Sequence, residues 1–218
     1  TCALPISEKS LFLAISSHCT AIEGLIVALF VNQLVLLSML LFAMLIQFQI
    51  IWPAESALLE YSHIEVASLF FLPHGLKAIC IVLAGARAII PIFMMHFITD
   101  LAIGWPLPTA LITGGVAVVV MLLPLVLINF LSHKPALEPL TLGSTKDLSL
   151  FRLVIVVAVI ASLMNGAIGA LRYQSSPLDL VAFKFFTGDI LGTLAVLGVL
   201  IWIKRPLMRV ANRLSNLN

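Results

Sequence analysis

The stretch FFLPHGLKAICIVLAGARAIIP, Phe70 to Pro91, decides how this chain folds. It is too apolar for water, yet it sets Pro73, His74, Gly75 and Lys77 inside what otherwise reads as continuous apolar helix. Proline removes a backbone donor and glycine loosens a helix. In hydrocarbon, such a break is tolerated only where the freed backbone groups face protein or a water-filled cavity. The rest of the chain puts it in hydrocarbon. Of 218 residues, 61% are hydrophobic and 10% charged, against about 25% charged in a soluble domain. Mean hydropathy is +1.17.

Several runs reach the ~18–20 apolar residues that cross ~30 Å of hydrocarbon. Hydropathy predicts spans at 25–51, 65–85, 88–104, 109–131, 150–171 and 180–203. Residues 10–24, SLFLAISSHCTAIEG, read either as an interfacial lead-in or as a short seventh span. The expected fold is all-α, a polytopic transmembrane helical bundle of about six spans. It divides into an N-terminal segment 1–24, the bundle 25–203 and a basic tail 204–218. No loop is long enough for a soluble domain, and no internal repeat is evident.

Lys204, Arg205, Arg209 and Arg213 follow the last span directly. Counting crossings backwards puts Arg152, Lys146, Lys134, Arg87 and Lys9 on the same side. Arg172 is left opposite, with Glu55, Glu60, Asp100 and Asp179. The positive-inside rule therefore predicts cytoplasmic termini.

Other classes are excluded by what the sequence lacks. A net charge of +2 gives no reason to expect nucleic acid as a partner. Cys2, Cys19 and Cys80 have neither pairing nor metal-ligand spacing. The first twenty residues lack the basic n-region, apolar core and small-residue cleavage site expected of a signal peptide. There is no nucleotide loop, HExxH, serine elbow or aspartate-rich pair, so the chain does not read as an enzyme. No metal or cofactor is expected.

If the second span enters near Glu65, Pro73 to Lys77 lie near mid-membrane. A half-helix starting near Gly75 would present free N–H groups and a positive dipole end, with Lys77 beside it. That arrangement suits an anion or carboxylate. The alternative is a packed proline kink with Lys77 paired to a carboxylate. In the last span, FKFFTGDILGTLAVLG, Asp189 reaches similar depth and is expected to pair with Lys77 or to hydrogen-bond His74. Lys184, nearer the surface, is expected to snorkel. Gly188 and Gly192 form a small-xxx-small face for a neighbouring helix. His96 joins His74 either as a metal or haem ligand or, the reading favoured by the lack of helical ligand spacing, as a hydrogen-bonded core histidine. Asn165, beside Gly166 and Gly169, reads as interhelical glue, and Glu23 with Asn32 and Gln33 as the inner membrane edge.

Two of these stretches together carry a resemblance. LPHGLKAICIVLAGARAIIPIF, through Pro73, Gly75, Gly85, Arg87 and Pro91, resembles the signature of the first membrane-associated sensor (MASE) family of bacterial signalling proteins. FFTGDILGTLAVLGVLIWIKRPL is similar to that family's closing span, through Gly188, Asp189 and Gly192, and the preceding helix with Asn165 and Gly169 fits as well. Leu72 stands where the family has an aromatic residue, and the last span lacks the family's terminal proline. The resemblance implies an integral sensory module in the bacterial cytoplasmic membrane that feeds a cytoplasmic output domain. None follows within this sequence, so output would come from another chain or from a part beyond it.

Three functions are therefore carried forward. The first is a non-enzymatic sensor-like or partner-binding subunit, in contact with lipid and with other integral membrane proteins or a signalling output domain. The others are a structural subunit of a larger membrane complex, and a small-solute transporter or its substrate-binding subunit.

Overall fold

Helix is the regular structure throughout the described residues of the computed structural model, which are 8–59, 68–140, 147–172 and 178–215. The predicted entry point Glu65 and the basic residue Lys146 lie outside them. So do the side chains of Lys9, Glu23, Arg172, Asp179, Arg205, Arg209 and Arg213. The first rod is α1 (Glu8–Ile46), which runs through a π-helical turn, Gln47–Ile51, into α2 (Trp52–Leu59). Ile46 and Trp52, which flank that turn, both keep right-handed helical angles, so the rod does not stop there. Residues 10–24 are the beginning of α1 and not a separate element.

α3 (Leu72–Ala84), a 3-10 turn at Gly85–Ala88 and α4 (Ile89–Ala102) come next. Lys77 Nζ lies 3.1 Å from His96 Nε2, although the residues are 19 apart in sequence. On one straight helix ~28 Å would separate them. The chain therefore reverses at Gly85–Ala88, and α3 and α4 form a hairpin. Gly85 makes the reversal possible: its φ of 57° and ψ of −130° belong to a region open essentially to glycine.

α5 (Leu107–Leu131), α6 (Asp147–Arg172) and α7 (Leu178–Ser215) complete the bundle. α6 and α7 run antiparallel in close contact: a Cβ on Gly166 would sit 3.0 Å from the Ala182 carbonyl oxygen, and one on Gly169 2.6 Å from the Phe185 ring. Between α5 and α6 the chain folds back under the hairpin tip. Ala86 N–H donates to the Leu137 carbonyl (3.2 Å), and Leu140 N–H donates to the Val82 carbonyl (3.0 Å). Gln33 on α1 donates to the Arg87 carbonyl (2.8 Å).

Burial is inverted relative to a water-soluble protein. Phe30, Phe42, Ile50, Phe130 and Trp202 are more than half exposed, while Gln47, His74, Lys77, Asn129, Lys184 and Asp189 are buried. Aliphatic side chains such as Leu40, Ile81, Met95, Met121 and Val157 fill the space between helices. An apolar exterior around polar interior residues is the pattern of a chain solvated by hydrocarbon. Five stretches of the described residues are long and apolar enough to cross a membrane: Val27–Leu58, Leu72–Ala102, Leu107–Leu131, Leu150–Leu171 and Leu180–Lys204. The second of these is the hairpin. Its arms have 13 and 14 residues, about 20 Å each, shorter than the ~30 Å core of a bilayer.

Candidate functional site

The break at Pro73 is a helix start. Pro73 occupies the first turn of α3, where its fixed φ suits the helix and its missing N–H costs nothing. The helix thus begins at Leu72, three residues before the Gly75 start expected from sequence. Ahead of it, Ser68–Phe71 is not helical and lies against the middle of α7. Phe71 N–H donates to the Gly188 carbonyl (2.9 Å). A Cβ on Gly188 would overlap the Ser68 carbonyl oxygen, and one on Gly192 the Phe71 carbonyl oxygen. One on Gly75 would come 2.5 Å from the Thr193 Cα. The small-xxx-small face of α7 therefore receives non-helical backbone and the first turn of α3. No side chain would fit between them.

Non-helical backbone at this depth needs partners, and the first rod supplies them. The Gln47 side-chain carbonyl accepts from Leu72 N–H (3.0 Å), and its amide donates to Ser68 Oγ (3.1 Å). The Glu55 carboxylate accepts from Leu69 N–H (2.7 Å) and from the Ser68 hydroxyl (2.6 Å). Phe70 N–H donates to Ser68 Oγ (3.1 Å). The π-turn begins at Gln47, which is wholly buried. Since Leu72 N–H is bound to Gln47 and His74 N–H to the Phe71 carbonyl, the start of α3 is already capped by the protein. Of the two readings of this break, these partners fit the packed one.

Just inside this junction, α3, α4, α6 and α7 bring together a polar cluster. His74 Nδ1 lies 3.0 Å from Asp189 Oδ2, and Asn165 donates to the same oxygen (2.8 Å). His74 Nε2 lies 3.2 Å from the Ala158 carbonyl and 3.3 Å from Ser162 Oγ. The Ser162 hydroxyl donates to that same carbonyl (2.6 Å). Lys77 turns the other way, to His96 at 3.1 Å and over the Phe71 ring at 5.7 Å. Of the two partners expected for Asp189, His74 makes the contact. Lys77 and Asp189 interact only through space.

Gly85, Arg87 and Pro91 separate from this cluster. Gly85 and Arg87 form the hairpin tip and Pro91 is buried in the first turn of α4, with Gly85 about 16 Å along α3 from His74. Asn165 bridges α6 to α7 as interhelical glue does. Lys184 does not snorkel: it is 2% exposed, and the Glu55 charge acts on it. Gln47, Glu55, Ser68 and Ser162 were missed from sequence. Among the described residues no three His, Cys, Asp or Glu side chains gather as metal ligands. No family model matches the chain, and neither does any curated protein or solved structure.

Proposed function

We propose that this chain is a non-enzymatic, sensor-like membrane module that works through its contacts with other integral proteins or an output domain. The observation that carries this reading is the His74–Asp189 contact, which ties the start of the α3–α4 hairpin to α7 deep inside the bundle. Beyond Lys204, α7 continues as helix to Ser215, through the basic residues Arg205, Arg209 and Arg213. A change in the grip on Asp189 would pass along one rigid helix to that end.

On this reading the second crossing is a discontinuous one. The 13 residues of α3 give about 20 Å, and the four non-helical residues ahead of it add at most roughly 13 Å towards the ~30 Å of hydrocarbon. The hairpin then contributes two crossings and the bundle six. Basic residues Arg87, Lys134, Arg152 and Lys204 would mark the cytoplasmic side of a bacterial inner membrane. The resemblance to the MASE family supports the same reading, because several of its signature residues lie at or beside the places where backbone leaves helix: Pro73 and Gly75 in the first turn of α3, with Gly75 against Gly192 and Thr193, and Gly85 with Arg87 at the tip.

A sensor needs two states that a ligand or partner binds unequally. Spin labels at Leu83 and Ile201, both more than half exposed, report the separation of hairpin and α7 in lipid nanodiscs. Asp189→Asn is expected to redistribute that distance while the protein still inserts. An unchanged distribution in the variant would mean that this contact does not position α7, and the reading fails.

A further inference from the structure

Two pairs of amides on the first rod are used in opposite ways. Gln33 and Gln47 bond within the bundle, to the Arg87 carbonyl and to Leu72 N–H. Asn32 and Gln49, close beside them, turn outward: both are exposed, and neither has a hydrogen-bond partner among the described residues. The two outward amides stand 17 positions apart, about 25 Å along a helix, which fits inside the ~30 Å of hydrocarbon. Apolar surface continues past both of them, with Val27, Phe30 and Ile50 more than half exposed. A side-chain amide carries two donors and two acceptor lone pairs. Lipid tails can meet none of these.

Between the amides the rod follows a seam rhythm. Asn32, Val35, Met39, Phe42, Ile46 and Gln49 are spaced 3, 4, 3, 4 and 3, the interval that keeps one stripe facing a second helix. Val35, Met39 and Phe42 are exposed and Ile46 is half-buried. Within the chain, α1 packs chiefly on α3, the hairpin tip and α4, and its apolar stretch is the least buried of the five. The stripe is therefore open along most of its length. Whatever covers it must offer a donor with an acceptor at each end and apolar side chains between. A second copy does so by symmetry. Copies inserted in the same direction run parallel, and a two-fold axis along the membrane normal sets each seam residue opposite its own counterpart. Asn32 then meets the partner's Asn32, and Gln49 the partner's Gln49. An amide complements itself, because it both donates and accepts. An asparagine at one core position of such a seam also fixes its register.

We propose that the Asn32–Gln49 stripe of α1 is the interface for a second, parallel copy of this chain, an assembly that does not depend on the sensor reading above. Full-length protein carrying donor or acceptor dye at its N-terminus is diluted stepwise in phosphatidylcholine liposomes, and energy transfer gives the dissociation constant of the pair. The expected result is a two-copy assembly that Asn32→Leu and Gln49→Leu each weaken by roughly tenfold, through loss of an interhelical amide contact. Leu123→Ala, at a half-exposed position on α5, leaves it unchanged. With Cys2 and Cys19 replaced by serine, Phe42→Cys cross-links between copies and Phe130→Cys on α5 does not. Neither outward amide bonds within its own chain, so the leucine variants keep the monomer fold, which their helical signal checks. Monomers at every dilution would mean that lipid covers the stripe, and the proposal falls. It falls equally if both leucine variants pair as tightly as the parent, or if a different protein occupies α1 stoichiometrically in native membranes. The Leu83–Ile201 distance is measured within one copy, so the sensor reading stands or fails separately.

Discussion

Backbone leaves the α-helix at two well-packed places in this bundle, and the two are satisfied differently. At Leu69–Leu72 the amide protons go mostly to side chains: Glu55 takes Leu69, Ser68 takes Phe70 and Gln47 takes Leu72, while Phe71 alone reaches backbone, at Gly188. At the hairpin tip the ties are mainly backbone to backbone, Ala86 to Leu137 and Leu140 to Val82. Asn129 holds the adjoining loop through the carbonyls of Ala136 (3.1 Å) and Glu138 (2.8 Å). Side-chain partners can change rotamer and protonation, whereas a ladder of peptide groups has one arrangement. The first junction is therefore suited to a moving part and the second to an anchor.

The sharpest way to break the comparison is to force the surfaces apart. Gly192→Ala drives a methyl group into the Phe71 carbonyl, with helix on one side and capped backbone on the other, and is expected to cost about 3 kcal/mol. Gly85→Ala meets the Leu137 carbonyl and an unfavourable φ, but its neighbour is a loop that can yield, so about 2 kcal/mol is expected. Thermal unfolding in a mild detergent, followed by loss of helical signal, ranks the two. Equal or reversed losses would mean that the deep junction is the looser one.

Next in size are the side-chain partners themselves. Gln47→Leu leaves the Leu72 amide without an acceptor in an apolar interior and should cost about 2 kcal/mol. Gln33→Leu removes a single bond to the Arg87 carbonyl at the exposed tip, with an expected change within about 0.5 kcal/mol. The same unfolding assay separates them, and a comparable loss from both would erase the distinction between the junctions. Smallest of all, Gly115→Ala places its methyl group in open space and should change stability by less than about 0.5 kcal/mol. A larger loss there would show that Gly-to-Ala costs do not report contact at all.

The helical bundle was legible because each apolar run is long; the described residues hold five stretches long and apolar enough to cross a membrane where about six spans are expected from sequence, and the reversal at Gly85–Ala88 falls between two of the expected ones. Pro73, His74 and Asp189 stood out because polar residues are rare at that depth. Gln47 and Glu55 did not, since one ends an apolar run and the other follows Pro53 in what reads as an outer loop. Their partners lie 25 and 14 residues on, a distance that no local pattern spans. Gly188 and Gly192 announced close approach correctly, but spacing alone does not say whether a helix or irregular backbone will occupy the groove. Lys184 was misjudged because position along a helix says nothing about a carboxylate brought from α2.

The π-turn at Gln47–Ile51 explains how one rod caps both ends of the same short segment. Gln47 and Glu55 are eight positions apart, which on a regular α-helix points them about 80° away from each other. One surplus residue in a wider turn makes the interval behave as seven, reducing the mismatch to about 20°. The clasp on Ser68–Leu72 is thus a matter of phase. Deleting a single residue between Phe48 and Ile51 would leave every capping side chain in the chain and still aim them at different neighbours.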